Sequence, residues 1–235
     1  MQTIISNEFS TPILLNRWVD HELKKKEILE AIKIELFKQA SVSSVRGQES
    51  SEIFVATSMS PLNQFQKENV VFRSKVETSD DLHLSHNTSL RSLLLWILEQ
   101  AKELIDRIGG VAAQEFCPYV LNSWASIYRN GDFHNSHIHP ASLFSCVYCI
   151  STIENGGGLL VLHDPRHNIN YNHFECGLWS NNARIIDLQP GDLIIFPGWL
   201  SHSVTPIQGD GERITLSVNL DARHFPLSRD NTQAK

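Results

Sequence analysis

Residues 131–145 read GDFHNSHIHPASLFS, a stretch that places three histidines just before an apolar run. His137 and His139 are two positions apart, so their side chains share a face if a strand has already begun there. Two imidazoles placed in this way can bind one metal ion from neighbouring positions of its coordination shell. His134, three positions before His137, would point to the other face of a regular strand, so we interpret it as a supporting or surface residue.

A third candidate ligand is His202, which follows the apolar run DLIIFP and the turn GWLSH. It lies at the end of a predicted strand, where the chain can bring it back towards His137 and His139. A single histidine is most simply a surface or core residue. Three histidines with this shared strand arrangement favour a metal site.

The 235 residues divide into a helical first half and a strand-rich second half. Residues 20–40 and 88–108 carry apolar side chains at helical spacing, and Gly109-Gly110 is a stop signal for the second helix. From Tyr119 onward, six runs of strand type alternate with turns: YVLNSWASIY, SLFSCVYCI, GLLVLHD, ARIIDL, DLIIFP and RITLSVNL. This order predicts an α+β fold, in which an antiparallel sandwich or jelly roll is covered on one side by the N-terminal helices.

The same pattern predicts a single domain over residues 1–235. We expect a mainly helical N-terminal layer over 1–118, with polar, irregular sequence at 41–87. The β core is expected over 119–225, followed by a flexible tail over 226–235.

Composition narrows the classes of partner. A net charge of −6 argues against nucleic acid, which requires a basic surface. No run of eighteen apolar residues is present, so no membrane partner is expected. The first residues lack the basic and apolar segments of a signal peptide, so a cytoplasmic location is expected.

Two of the four cysteines, Cys146 and Cys149, form a C-x-x-C motif within an apolar run rich in strand-forming residues. Side chains three apart on a strand point to opposite faces and cannot share a metal or a disulfide. The motif therefore predicts two buried structural thiols.

Two predicted strands each carry a polar face. In residues 120–128 this face includes Trp124, Ser126 and Tyr128, and in residues 213–219 it consists of Arg213, Thr215, Ser217 and Asn219. Such faces can meet solvent, as they do in many antiparallel sheets. Alternatively they line a ligand pocket inside the jelly roll. The pattern alone leaves both interpretations open.

Taken in order, these segments resemble the Fe(II)/2-oxoglutarate-dependent oxygenases, whose core is a cupin-like double-stranded β-helix. That family has H-x-D/E near a strand end, a glycine-rich turn, a P-G-D strand, a distal histidine and then Arg-x-Ser/Thr. Here the same order reads HIH, ENGGGLLVLHD, LQPGDLIIFP, His202 and RIT. The chain is most similar to a group of small oxygenases with a GDF…HxHP segment, a DPR turn and PGWLxH.

The resemblance implies roles for particular residues. His137, His139 and His202 would be the metal ligands and catalytic centre. Arg213 would pair with the distal carboxylate of 2-oxoglutarate, which suits its bidentate fork, and Thr215 and Tyr128 would add hydroxyl contacts. Ser126 or Asn122 are alternatives to Tyr128. The substrate pocket would be lined by Trp124, Asn219 and Arg166.

One residue departs from the family pattern, because His139 stands where most members have Asp or Glu. Three neutral imidazoles leave Fe(II) one unit more positive than the usual two histidines and one carboxylate. The alternative is that Asp132 or Asp164 provides the third ligand and His139 supports it. We favour three histidines, because the spacing of two already places His139 beside His137.

The resemblance implies an enzyme that uses Fe(II), 2-oxoglutarate and O₂ to hydroxylate a small organic substrate, with release of succinate and CO₂. The expected partner is a small molecule, and a homodimer is possible. Two alternatives remain: a three-histidine cupin-type thiol dioxygenase that needs no 2-oxoglutarate, and a non-catalytic jelly-roll module that binds a metal. Arg213 in the Arg-x-Thr position argues against the first.

Overall fold

The chain is described by a computed structural model that covers residues 10–45, 76–166 and 183–225. Two α-helices precede most of the strands: α1 (His21–Val45) and α2 (Thr88–Gly109), with short 3₁₀ turns at Leu82–Leu84 and Gly110–Glu115. The strands are β1 (Leu14–Arg17), β2 (Val76–Glu77), β3 (Phe116–Tyr128), β4 (His134–His137), β5 (Phe144–Ser151), β6 (Leu160–His163), β7 (Ala183–Ile186), β8 (Asp192–Pro197), β9 (His202–Val204) and β10 (Arg213–His224).

The strands form two sheets. The larger sheet has the order β1-β8-β5-β10-β3-β2, and the smaller has the order β4-β9-β6-β7. The strand pairs in both sheets are antiparallel. An apolar cluster that includes Leu160, Leu162 and Phe196 joins the two sheets face to face. This arrangement confirms the predicted jelly-roll, or double-stranded β-helix, core.

Both helices cover the other face of the larger sheet, as the sequence predicted. Ile28 of α1 and Ile97 of α2 share a core cluster with Cys146 and Leu216 of the sheet. Helix α2 begins at Asn87, whose Oδ1 accepts a hydrogen bond from the backbone N–H of Leu90 at 2.9 Å. Its buried side chains repeat at helical spacing, so burial of this stripe holds the helix to the sheet.

The C-x-x-C pair contributes one thiol to each core. Cys146 belongs to the cluster under the helices, and Cys149 belongs to the cluster between the sheets. Burial raises the pKa of both thiols, that of Cys149 to about 11, so both stay protonated. The prediction of two separate structural thiols is confirmed. Cys176 lies outside the described residues.

Four short strands were not predicted: β1, β2, β4 and β9. Each contains two to four residues, too few for an alternating pattern to stand out. Strand β1 extends the larger sheet by pairing with β8, and Arg17 adds an ion pair with Asp192. The N-terminal part of the chain therefore provides two edge strands as well as the helices. Most of 41–87 and the whole predicted tail at 226–235 lie outside the described residues.

A buried histidine lies at the contact between α1 and the larger sheet. The His21 side chain is 4% exposed, and its Nδ1 is 2.6 Å from the hydroxyl of Tyr148. The rings of Trp18 and Trp96 pack against Tyr148 at 6.2 and 6.4 Å. The Nε2 atom of His21 is buried without a hydrogen-bond partner among the described residues. Burial lowers the pKa of His21, so the folded protein holds this imidazole neutral.

This burial predicts a pH-dependent contribution to stability. Below about pH 6.5 the unfolded chain binds a proton at His21, whereas the folded chain keeps this imidazole neutral. The free energy of unfolding therefore decreases as the pH decreases. His21→Asn should cost about 1 kcal/mol at neutral pH through loss of the Tyr148 hydrogen bond. The difference between parent and variant should shrink as the pH falls through the folded-state pKa.

Urea unfolding at several pH values between about 7.5 and 5 measures this difference. His86→Asn is the matched control, because His86 is an exposed histidine in the segment between the 3₁₀ turn at Leu82–Leu84 and α2. A parent-to-variant difference that stays constant with pH for His21→Asn would contradict the prediction.

Candidate metal centre

The pairing of β4 with β9 brings the first two histidines together. His137 is the last residue of β4, His202 is the first residue of β9, and the two are directly opposite in the antiparallel register. His139 follows in the loop after β4 and so lies beyond the strand rather than on it. The chain therefore positions two histidines by strand pairing and the third by its loop.

The three imidazoles converge. Their candidate ligand atoms all lie within 4.8 Å of one another, and Nε2 of His139 is 3.3 Å from Nε2 of His202. Two nitrogens that bind one metal on neighbouring corners, with bonds of about 2.1 Å, lie about 3 Å apart. The spacing of the histidines fits a shared metal ion.

Backbone carbonyls fix the protonation of two of these imidazoles. Nδ1 of His137 is 2.8 Å from the carbonyl oxygen of Asn135, and Nδ1 of His202 is 2.9 Å from that of Leu200. A carbonyl only accepts, so each Nδ1 carries the proton and each Nε2 keeps its lone pair for a metal. Burial and the neighbouring His137 lower the pKa of His202 to about 3, which keeps it neutral.

The loop that carries His139 is held by close contact between its backbone and that of Gly198. The backbone N–H of His139 donates to the carbonyl of Gly198 at 2.8 Å. A Cβ on Gly198 would lie 2.3 Å from the carbonyl oxygen of Ser142 and 3.0 Å from that of His139. Only glycine allows the turn after β8 to approach the histidine loop so closely.

The orientation of His134 differs from the prediction for a regular strand. Its ring stacks on that of His137, with ring centroids 3.9 Å apart and an interplanar angle of 24°. The pairing of β4 with β9 shifts register between these two residues, so the alternation of a regular strand is broken. His134 lies outside the three-histidine group but supports the ring of His137.

The two alternative carboxylates are engaged elsewhere. Asp132 accepts a hydrogen bond from the backbone N–H of Arg129 at 2.7 Å. Asp164 pairs with Arg166, and this partner lowers the pKa of its carboxyl. Among the described residues, the group able to share one metal consists of the three histidines. The arrangement therefore favours the three-histidine set over a carboxylate ligand.

A pocket beside the histidines contains a buried cation. Arg213 is 2% exposed, its guanidinium carbon is 5.4 Å from the centroid of the Tyr128 ring, and it has no ion pair among the described residues. Thr215 lies on the same face of β10, directly opposite Ser126 of β3. The pocket is lined by Trp124, Ser126, Tyr128, His134, His137, His139, Ser145, Val147, Leu160, His202, Val204, Arg213, Thr215 and Ser217. A buried cation without a carboxylate partner is suited to bind an anion.

The three residues predicted to contact substrate have different positions. Trp124 lines the pocket, with its ring 5.8 Å from that of His139. Asn219 is buried behind the pocket wall, and its side-chain amide contacts His139. Arg166 lies in an exposed turn, paired with Asp164 and away from the pocket lining.

Sequence reasoning missed a buried carboxylate beside this pocket. Glu77 is 6% exposed on the two-residue strand β2, and its Oε1 accepts a hydrogen bond from the hydroxyl of Ser126 at 2.7 Å. Ser126 lines the pocket, so Glu77 acts on the pocket through that hydroxyl. A strand of two residues gives no periodic signal by which Glu77 could have been found.

The comparison with protein families agrees with this geometry. Residues 122–219 match a family described as “Putative 2OG-Fe(II) oxygenase”. This range contains the three histidines, Arg213, Thr215 and Asn219. The family resemblance seen in the sequence is confirmed. No curated protein matches the chain in sequence.

Solved structures with a TM-score of at least 0.50 share the fold at low identity. A non-heme alpha ketoglutarate dependent carbocyclase from nogalamycin biosynthesis is 15% identical, with a TM-score of 0.54 over 94% of this chain and 85% of that chain. A prolyl-4-hydroxylase from Pseudomonas putida is 12% identical, with a TM-score of 0.50 over 91% of this chain and 94% of that chain. A 2OG-Fe(II) oxygenase family oxidoreductase from Burkholderia pseudomallei is 15% identical over 57% of this chain. Its TM-score is 0.41, and the chain spans 59% of its length.

The geometry predicts which substitutions weaken metal binding. His137→Ala or His202→Ala should reduce Fe(II) affinity by at least about tenfold with the fold intact, because each removes one of the three candidate ligands. His139→Asp should retain the metal, since a carboxylate at this position restores the usual donor set of the family. Anaerobic Fe(II) titration measures these affinities.

His163→Ala is the matched control, because Nε2 of His163 is hydrogen-bonded to the hydroxyl of Ser203 and His163 lies outside the three-histidine group. It should bind Fe(II) as tightly as the parent. If His139→Ala also binds as tightly as the parent, another residue is the third ligand.

Proposed function

From the family match and the buried site, we propose that the chain is an Fe(II)- and 2-oxoglutarate-dependent dioxygenase that hydroxylates a small organic substrate. The observation that carries this proposal is the joint presence in one pocket of three convergent histidines and a buried arginine that has no ion pair among the described residues. A metal site alone does not need the arginine. A carboxylate cosubstrate does.

The donor set fits iron, with His137, His139 and His202 as the proposed ligands. Neutral imidazoles are suitable ligands for iron, and the histidines at 137 and 202 already present Nε2 lone pairs. When bound, Fe(II), 2-oxoglutarate and O₂ supply the oxidation: one oxygen atom goes to succinate as CO₂ leaves, and the other goes to a substrate C–H bond.

The chain's own residues bind and orient the cosubstrate. Arg213 offers two parallel N–H donors to the distal carboxylate, and Thr215 offers a hydroxyl from the same face of β10. The ring of Tyr128 lies against the guanidinium and limits its rotamers. Because Arg213 is almost fully buried, water competes weakly for this carboxylate.

The substrate is proposed to occupy the part of the pocket beside Trp124 and Ser217. These side chains offer one aromatic wall and one hydroxyl near the histidines. An indole wall positions an apolar carbon framework, and hydroxyls orient its polar groups. We therefore expect a small molecule with both an apolar framework and polar substituents.

Succinate formation tests the proposed function directly. Purified protein with Fe(II), O₂ and 2-oxoglutarate should release succinate at a rate that depends on all three. Omission of 2-oxoglutarate should abolish product formation. A three-histidine thiol dioxygenase would instead oxidise a thiol substrate without 2-oxoglutarate, and a metal-binding module would bind Fe(II) without turnover.

Arg213 provides the sharpest residue-level prediction. Truncation of one partner of a buried Arg–carboxylate pair costs about 2–5 kcal/mol. At about 1.4 kcal/mol per decade, Arg213→Ala should weaken apparent 2-oxoglutarate affinity by at least about tenfold, with little change in Fe(II) affinity. Arg213→Lys should recover only part of the loss, because a point charge lacks the fork geometry. An unchanged 2-oxoglutarate constant for Arg213→Ala would overturn the proposal.

A substitution at Gly158 should also weaken 2-oxoglutarate binding, through its contact with Arg213. Its φ is +70°, and an added Cβ would lie 2.6 Å from Cδ of Arg213 and 2.3 Å from Cδ1 of Ile207. Gly158→Ala should therefore displace Arg213 and raise the apparent constant for 2-oxoglutarate with Fe(II) affinity retained.

The matched control for backbone strain is Gly209→Ala. Gly209 has a φ of +89°, but its added Cβ would meet no atom closer than 3.7 Å. Both variants carry a similar conformational penalty, and only the one at 158 disturbs the arginine. Equal 2-oxoglutarate constants for the two variants would exclude this role for Gly158.

A further inference from the structure

Each of the three proposed ligands has a contact at the ring nitrogen that faces away from the shared centre. For His137 and His202 this contact is a backbone carbonyl, which can only accept. For His139 the contact is the side chain of Asn219. A side-chain amide has one donor end and one acceptor end, so its orientation decides which nitrogen of His139 carries the proton.

The orientation of the Asn219 amide can be deduced from its surroundings. As placed, Nδ2 lies 3.3 Å from Nδ1 of His139, and Oδ1 is buried without a hydrogen-bond partner among the described residues. The oxygen and nitrogen of an amide are interchangeable in shape, so the network of hydrogen bonds must assign them. Exchange of the two atoms turns Oδ1 towards Nδ1 of His139, which can then donate to it, and places Nδ2 in the buried position that Oδ1 occupied.

We propose that Asn219 is the positioning residue of the third metal ligand. Its Oδ1 accepts a hydrogen bond from the Nδ1–H of His139, so the lone pair of this imidazole is on Nε2, the nitrogen beside His202. The inference rests on the proposed function, since it assumes that His139 is a ligand. It assigns Asn219 a role different from the substrate contact that the sequence pattern predicted.

The position of Asn219 suits this role. It lies on the inward face of β10, is 6% exposed, and is held between Asn122 of β3 and Ser145 of β5. The pairing with β3 shifts register just after it, between Asn219 and Leu220. Strands on both sides restrict its side chain, so the amide is a fixed support for the otherwise loop-borne His139.

An asparagine also accommodates either kind of third ligand. With a histidine at 139, Oδ1 accepts a hydrogen bond. With a carboxylate there, Nδ2 can donate a hydrogen bond in the opposite orientation of the amide. An aspartate at 219 could serve only the histidine, because two carboxylates would repel each other. Asn219→Asp should therefore have opposite effects on metal affinity when residue 139 is a histidine and when it is an aspartate.

The test measures Co(II) affinity by optical titration, a readout independent of turnover. Asn219→Leu should weaken Co(II) binding by about 10–100-fold, the usual cost of removing such a supporting contact. Asn219→Asp should keep or tighten binding, because a carboxylate accepts the Nδ1–H more strongly than an amide does. Combined with His139→Asp, Asn219→Asp should instead weaken binding. Tight binding by that double variant, or unchanged binding by Asn219→Leu, would overturn the proposal.

Two further variants separate the possible failures. Asn16→Leu is the matched control, because Asn16 is an asparagine of the same sheet whose Nδ2 donates to Oε1 of Gln100 and not to a histidine; it should bind Co(II) like the parent. His139→Ala tests the premise. If it binds Co(II) like the parent, the three-histidine site itself is wrong. If it binds weakly and Asn219→Leu does not, the role of Asn219 alone is wrong. Thermal unfolding of each variant excludes global misfolding, and Asn219→Asp retains a test if Asn219→Leu does not fold.

Discussion

The site depends on the antiparallel pairing of β4 with β9, two strands of four and three residues. Their register sets His137 opposite His202, and the hydrogen bond from His139 to Gly198 fixes the loop that adds the third imidazole. Strands this short hold their register weakly by themselves. The larger sheet supplies the rigidity, since β8 leads directly through the glycine turn into β9. The positions of the three histidines in the candidate metal centre therefore depend on the geometry of that turn.

The sequence revealed those parts of the molecule that have a repeating pattern. Helix α2 was predicted because its apolar stripe recurs over six turns, and β10 because its polar and apolar residues alternate over its length. The three histidines were found by their order along the chain and by spacing. The strand β1 was missed because four residues carry only two side chains on each face.

Contacts between distant segments could not be predicted in the same way. The alternating pattern placed Asn219 on the inward face with Arg213, but the partner of its amide depends on where the loop after β4 returns. The stack of His134 on His137 depends on a register shift that a regular strand would not have. Glu77 reaches Ser126 only because an edge strand of two residues joins β3. These features belong to tertiary packing, and no local pattern specifies them.

The formal charges around the pocket explain why a dianion suits it. Three neutral histidines would leave both charges of a divalent metal uncompensated, and Arg213 adds one more. The described lining residues include no aspartate or glutamate, so no carboxylate of that lining offsets these charges. A bound anion would neutralise them. 2-Oxoglutarate carries two carboxylates, so a site with histidine at 139 is more complementary to the dianion than one with a carboxylate there. On the proposed function, a histidine in place of the usual acid would strengthen the attraction for 2-oxoglutarate and weaken the intrinsic affinity for the metal.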